Sequence, residues 1–264
     1  MVEQRLVVIR GAGDLATGVA HRLWRAGFQV VMTEIALPRA LRRAVSLASA
    51  VYDGEITVEG LTARCANDLE QVRRILSAGD VPVLVDPDLR LARALSPEVL
   101  VDATLAKRNL GTWQRDAPIV IGLGPGFVAG RDVHLVIETQ RGHDLGRVLS
   151  TGSAAPNTGL PEPVQGYARE RVLWAPAAGV LRGLRTIGDR VEAGDSVAEV
   201  NGEPLRAGVP GVLRGILHDG LAVRAGEKVG DVDPRGVRDY CFTISDKARA
   251  IGGGVLEAIL YARR

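Results

Sequence analysis

The stretch IRGAGDLATG, residues 9–18, sets Gly11, Gly13 and Ala16 in the order G-x-G-x-x-A directly after a short apolar run. Where a strand enters a helix, that spacing bears on chemistry. Gly11 permits a tight turn, Gly13 lets a pyrophosphate approach the backbone, and Ala16 lets the helix pack on the strand. The turn Gly11, Ala12, Gly13, Asp14, Leu15 and Ala16 is therefore a candidate nucleotide cradle. Glu34, 21 residues beyond Gly13, stands where a carboxylate accepts hydrogen bonds from ribose hydroxyls. Asp14 complicates the picture. Its carboxylate would meet a phosphate with like charge, and it would serve equally well as a helix cap. A ligand cradle and a plain capped turn are both open readings of these residues.

A second cluster lies in VDATLAKRNLGT (101–112) and VIGLGPGFVAGRDVHLVIETQRGHDLGRV (120–148). Asp102, Thr104, Lys107 and Asn109 follow one apolar run; Gly122, Gly124, Pro125 and Gly126 follow the next. Ligand-facing residues of an open α/β sheet collect beyond the carboxyl ends of its strands, and successive glycine amides can form an anion-holding nest. Lys107, Arg108, Arg141 and Arg147 supply positive charge nearby in sequence. Thr104, Gly124, Pro125, Gly126 and Arg141 are thus candidate binding residues, with Lys107 and His143 the candidates for a catalytic role. Plain structural readings stand beside these. Glycines also turn chains, and Lys and Arg are usually solvated. His134, at the start of an apolar run, reads as a satisfied polar residue.

Metal and nucleophile patterns give little. His21, His134, His143 and His218 show no paired ligand spacing, so no metal site is expected. No Gly-x-Ser-x-Gly elbow occurs. Cys65 and Cys241 are too few for a disulfide framework or structural zinc, and both read as structural.

Elements must hold these residues in place. At 264 residues the chain exceeds the usual ~100–200 per domain, which suggests one large or two modest domains. Apolar content of 46% and charged content of 24% are those of a soluble globular protein. A net charge of +2 gives no general attraction to nucleic acid or membrane. No apolar run approaches a membrane-spanning length, and the opening residues lack leader anatomy, so a cytoplasmic location is expected.

Apolar runs at 5–10 and 28–34 flank a helical pattern from Leu15 that ends at Gly27, the start of a βαβ unit. The spacing predicts helices over 38–51 and 67–76. It predicts further strands over 56–58, 82–86, 99–103, 118–123 and 133–138. Residues 1–150 therefore read as an α/β, doubly wound, Rossmann-like ligand-binding domain. STGSAAPNTGLPEPVQG (150–166) lacks periodicity, so 151–172 reads as a linker or binding loop.

Beyond it, residues 175–200 and 207–232 align without gaps at an offset of 32, with GVLRG in both copies. A duplicated unit of short strands predicts two interlocking β-halves over 173–233. This region resembles the barrel-sandwich hybrid domain of biotinyl and lipoyl carriers. Those carriers present a modified lysine on the turn between halves, whereas VNGEPLRAG (200–208) contains none. The resemblance implies that fold without swinging-arm chemistry. Residues 234–264 form a last helical segment: Ser245 is a candidate N-cap, and Ala248, Ile251, Val255 and Ile259 recur at helical spacing, a face expected to return to the first domain. Gly252, Gly253 and Gly254 disfavour a helix by ~1 kcal/mol each, so they signal a break or a close approach of another group.

GAGDLATG, TEIALPRALRRAVSLASAVYDG, LAKRN, GLGPGFVAGRDVH, VIETQRGHDLGRV and TISDKARAIGGGVLEAIL together resemble the YqeB-type accessory proteins of selenium-dependent molybdenum hydroxylase systems. More distantly, the first half is similar to XdhC-type proteins that bind and mature molybdenum cofactor, from which it departs by carrying Asp14 in the turn. The resemblance implies a maturation protein that binds molybdenum cofactor, as molybdopterin or its cytosine dinucleotide, or a related nucleotide. Its partners would be a molybdenum hydroxylase apoenzyme and a small anionic ligand, with no nucleic acid or membrane, and a homo-oligomer left open. Selenium or sulfur loading, or insertion, would be the task. Whether the chain is itself an enzyme stays open. The alternatives are an NAD(P)-dependent oxidoreductase reading ribose through Glu34, and a non-catalytic assembly factor that docks its partner through the β-domain.

Overall fold

Short β-branched runs alternate with amphipathic helices through the first half of the chain, and the outcome is a mixed α/β fold built on a nine-stranded sheet. The computed structural model describes residues 6–159 and 162–264. Arg5 of the expected 5–10 strand, and Leu160 and Pro161 of the expected linker, lie outside the described residues.

The sheet begins with β1 (Leu6–Arg10), α1 (Asp14–Arg25) and β2 (Gln29–Glu34). A four-residue helix α2 (Ala50–Asp53) leads to the hairpin β3 (Glu55–Val58) and β4 (Leu61–Ala66). Next come α3 (Leu69–Ser77), β5 (Val81–Val85), α4 (Arg90–Ala94) and β6 (Val99–Asp102). The sheet ends with β7 (Ile119–Leu123), β8 (Leu135–Ile137) and β9 (Val148–Leu149). Strand order is β3-β4-β5-β2-β1-β6-β7-β8-β9. The strands from β4 to β8 run parallel, and β3 and β9 close the edges antiparallel. Residues 61–66 and 90–94 give no separate signal in the spacing, yet form β4 and α4.

Both faces of the sheet are covered, which explains strands as apolar as VVI and VLV. Val8, Val31, Leu84, Leu100 and Val120 pack with Val72 and Ile75 of α3 and Ala92 of α4. Helix α5 (Asp246–Ala262) lies against α1. It runs unbroken through its three glycines, so the close-approach reading holds for two of them. A β-carbon on Gly252 would stand 2.7 Å from the Gly18 carbonyl oxygen, and one on Gly254 would strike the Gly146 carbonyl. Gly253 has nothing within 4 Å.

The helix expected over 38–51 does not form. Two 3-10 turns (Arg43–Val45 and Leu47–Ser49) take its place before α2. The backbone there has better partners than its own helix. Ser46 Oγ donates to the Ala12 carbonyl at 3.0 Å, as does the Ala48 amide at 2.8 Å. The Leu47 amide donates to Thr17 Oγ1 at 2.9 Å.

Two compact units result. The first comprises residues 1–38, 46–157 and 244–264; the second comprises 39–45 and 158–243. The 234–264 stretch is therefore divided at residue 244.

The second unit consists of β10 (Val172–Trp174), β11 (Gly179–Gly183), β12 (Arg190–Val191), β13 (Ser196–Val200), β14 (Glu203–Arg206), β15 (Gly211–Ile216), β16 (Ala222–Val223) and β17 (Lys228–Asp233). They form two four-stranded sheets, β10-β17-β15-β12 and β14-β13-β11-β16. The duplication is visible as a strand exchange: β12 of the first copy pairs with β15 of the second, and β16 of the second pairs with β11 of the first. Gly179 and Gly211, equivalent in the repeat, share φ values of 157° and 156°. Asn201 and Gly202, at φ 50° and 83°, form the two-residue turn between β13 and β14. Leu41 joins this unit's core, and its carbonyl accepts the Ile216 amide at 2.9 Å.

Candidate functional site

Strand order reverses between β1 and β6: β2, β5 and β4 follow on one side of β1, and β6, β7 and β8 on the other. The carboxyl edge at such a switch point is where open α/β sheets leave a crevice. The glycine turn stands there.

Gly11 is required by the fold itself. It sits at φ +94°, donates its amide to the Thr33 carbonyl at 2.8 Å, and would place a β-carbon 3.1 Å from the Ala103 carbonyl oxygen. Gly13 is different. Its φ is −64°, which any residue adopts, and a β-carbon there would meet nothing within 4 Å. Gly13 is also the N-cap of α1 and makes no side-chain cap bond, so α1 starts without a side-chain cap. Asp14 is consequently the first helical residue and not the cap. Ala12, Leu15 and Ala16 are buried beneath the turn.

Glu34 faces the turn. Its Oε2 accepts the Ala12 amide at 2.9 Å and its Oε1 the Ile35 amide at 2.8 Å. Behind the turn lies a polar network that the residue types hint at without specifying. Asp102, fully buried at the end of β6, accepts from Thr104 Oγ1 and Thr112 Oγ1, each at 2.6 Å. The Arg10 guanidinium donates to Thr112 Oγ1 at 3.0 Å, to the Pro87 carbonyl at 2.8 Å and to the Leu110 carbonyl at 3.2 Å, and approaches Asp102 at 3.4 Å. Arg10 and Thr104 are thus committed to bracing the edge.

The second glycine cluster packs against protein. A β-carbon on Gly124 would stand 2.5 Å from Thr139 Oγ1, and its amide already donates to the Ile137 carbonyl at 2.9 Å. One on Gly126, at φ +112°, would stand 2.9 Å from the Ala106 carbonyl oxygen. Pro125 lies between them. The expected amide nest is thereby reduced, since its middle donor is spent. Glu138 organises the neighbouring loop by accepting the amides of Thr139, Gln140 and Ala155, each at 2.7 Å.

Arg141 makes two bonds to Asp246, at 2.5 and 2.8 Å, and so fastens this loop to the start of α5. Arg147 pairs with Asp144 at 2.8 Å. His134 Nδ1 accepts the Val120 amide at 3.0 Å, as the plain reading has it, and burial pushes its imidazole below the ordinary value. Lys107, Arg108 and His143 remain exposed. The structure brings the turn, Glu34, Thr104 and Asp102 together at one edge. Arg141 it sets in an ion pair at the start of α5.

Apolar side chains also surface at the end of β5 and in the loops after β2 and β6: Val85, Ile35, Leu37, Leu105, Leu110 and Trp113 are exposed. Leu105 is held at φ +53°, a strained setting for a branched side chain. Among the described residues, no group of three or more His, Cys, Asp or Glu is placed to hold a metal ion. Among them too, no helix is long and apolar enough to cross a membrane.

No family model matches the chain. The uncharacterized protein YqeB of Escherichia coli (strain K12) is 52% identical over 256 residues, 97% of this chain and 47% of that protein. This chain therefore spans about half the length of the curated relative it matches. An aspartoacylase family protein from Mesorhizobium loti matches at 13% identity and TM-score 0.28, over 87% of this chain and 85% of that one. The product-bound ectoine utilization protein EutE (DoeB) from Ruegeria pomeroyi matches at 12% identity and TM-score 0.26, over 87% and 85%. Scores this low carry no statement about shared fold or chemistry.

Proposed function

On the premise that the chain is of the YqeB type, as its 52% identity supports, we propose that it is an accessory protein of a molybdenum hydroxylase system. Its cargo would be an anionic molybdenum-cofactor-type or related nucleotide ligand. Its task would be selenium or sulfur loading, or insertion into the apoenzyme. The doubly wound strand order supports a Rossmann-like reading of the first unit, and the exchanged strands support a barrel-sandwich-like reading of the second.

Gly13 carries the proposal. Neither its backbone angles nor its neighbours ask for glycine, and it opens an uncapped helix start at the switch point. A phosphate group is the chemistry that such a start accepts. Lys107 and Arg108, exposed three and four residues beyond Thr104, supply the counter-charge. Leu105, Leu110 and Trp113 offer apolar surface for a flat ring. In this arrangement the chain's residues bind and orient the cargo.

Glu34, whose two oxygens hold the Ala12 and Ile35 amides, has a structural task at the turn that the oxidoreductase alternative does not require. The test is to purify the protein from a host that makes molybdenum cofactor, denature it, and assay released pterin and nicotinamide. Pterin without nicotinamide is expected. Nicotinamide without pterin would overturn the proposal, and neither would favour the non-catalytic assembly factor.

A further inference from the structure

Along the last turns of α1, beside α5, lies a cleft of about 330 Å³ lined by Gly18, His21, Arg22, Arg25, Ile244 and Arg249. We propose that this cleft is a second ligand site, one for a phosphate-type oxyanion, separate from the glycine turn.

The charge count is the first argument. Three guanidinium groups line the cleft, and Glu59, the carboxylate paired with Arg249, is already committed. Glu59 accepts Arg249 Nη2 on both oxygens at 2.7 Å and the Ile244 amide at 2.8 Å, and it stands 4.0 Å from His21 Nε2. Among the described residues, the Arg22 side chain makes only a long 3.4 Å bond to the Arg249 carbonyl. Arg25 makes no hydrogen bond or ion pair among the described residues, although it lies close enough to His21 to depress its protonation. Positive charge is therefore in surplus at this place.

Shape is the second argument. Gly18 has no side chain because α5 comes too close: a β-carbon there would stand 2.6 Å from that of Ala248. Gly18 thereby lets α1 and α5 meet closely where the arginines of both helices line the cleft. Burial keeps the His21 imidazole below its ordinary value, so the site's charge rests on the arginines. A planar fork donating two bonds suits phosphate oxygens better than a point charge does.

The cleft has no counterpart in the motif reading, since His21, Arg22 and Arg25 fall on the far end of α1 from the glycine turn. Glu59 is at the tip of the β3–β4 hairpin, at φ +47°, a turn position that carries no sequence sign of a ligand role.

The experiment is calorimetric titration of the full chain with inorganic phosphate, at ionic strength held constant with chloride. Saturable binding in the millimolar range or tighter is expected. Arg25→Ala should weaken it roughly tenfold or more, Arg25→Lys should keep a good part, and Arg73→Ala, on the exposed face of α3, should leave it unchanged. Glycerol phosphate binding more tightly than inorganic phosphate identifies the phosphate end of a metabolite; the reverse order identifies the free ion. Absence of saturable binding would overturn the proposal. So would binding that Lys107→Ala weakens and Arg25→Ala does not.

Discussion

The carboxylate of Glu34 accepts the amide of Ala12 at 2.9 Å, so the end of β2 sets the shape of the turn that follows β1. Glu34→Ala removes that acceptor and the one serving Ile35. Leaving two such amides to solvent or unpaired costs about 1–3 kcal/mol. Chemical denaturation should show that loss, with Glu34→Gln recovering part of it. An unchanged midpoint for Glu34→Ala would mean that the turn holds its shape without the carboxylate.

The glycines of α5 make a paired prediction. Gly253→Ala meets nothing within 4 Å and gains helix propensity, so stability should rise by up to ~1 kcal/mol. Gly252→Ala gains the same propensity but drives a β-carbon against the Gly18 carbonyl and Arg22, and should lose about 1–3 kcal/mol net. Opposite signs at adjacent positions, read from denaturant midpoints, are the outcome to look for. Equal signs would contradict the close helix contact.

Much of the fold is legible in the sequence because it rests on local pattern. The strands from β5 to β8 and helices α1, α3 and α5 follow from apolar runs and spacing, and the duplication follows from the repeated GVLRG. The 38–51 segment is not legible, because its backbone bonds to Ala12 and Thr17, far away in sequence. The site is harder still. Types and spacing gather Gly11, Glu34, Thr104 and Arg141, but not which of them are spent on one another. Glu34 on Ala12, Thr104 on Asp102 and Arg141 on Asp246 are long-range pairings or rotamer choices that no one-dimensional pattern encodes.

Acid should weaken the first unit through His134. Burial lowers its pKa below the ordinary 6.5, and its Nδ1 must stay unprotonated to accept the Val120 amide. The folded chain thus binds fewer protons than the unfolded chain, so this contribution is complete above about pH 6.5 and is lost as pH falls toward the folded value. Stability measured from pH 7 to 5 should decline, and less steeply in His134→Gln. An identical slope in that variant would assign the decline to other groups, of which His21, also lowered by burial, is the first to examine.

The last prediction separates binding from bracing at the carboxyl edge, with inorganic pyrophosphate as the probe. Arg141 is spent on Asp246 in an exposed pair, so Arg141→Ala should leave pyrophosphate affinity alone and change stability by about 0–1 kcal/mol. Lys107 is exposed in the loop that follows β6, so on the proposed reading Lys107→Ala should weaken binding about 10-fold or more. Asp14, in the first turn of α1, opposes an incoming phosphate by charge while favouring the helix dipole. Asp14→Asn should therefore tighten pyrophosphate binding, more at low salt where screening is weak, and lower stability by about 0.3–1 kcal/mol. Weaker binding in Asp14→Asn would place the carboxylate as an acceptor for ligand N–H groups. Unchanged binding in both Lys107→Ala and Asp14→Asn would remove the glycine turn as the anion site.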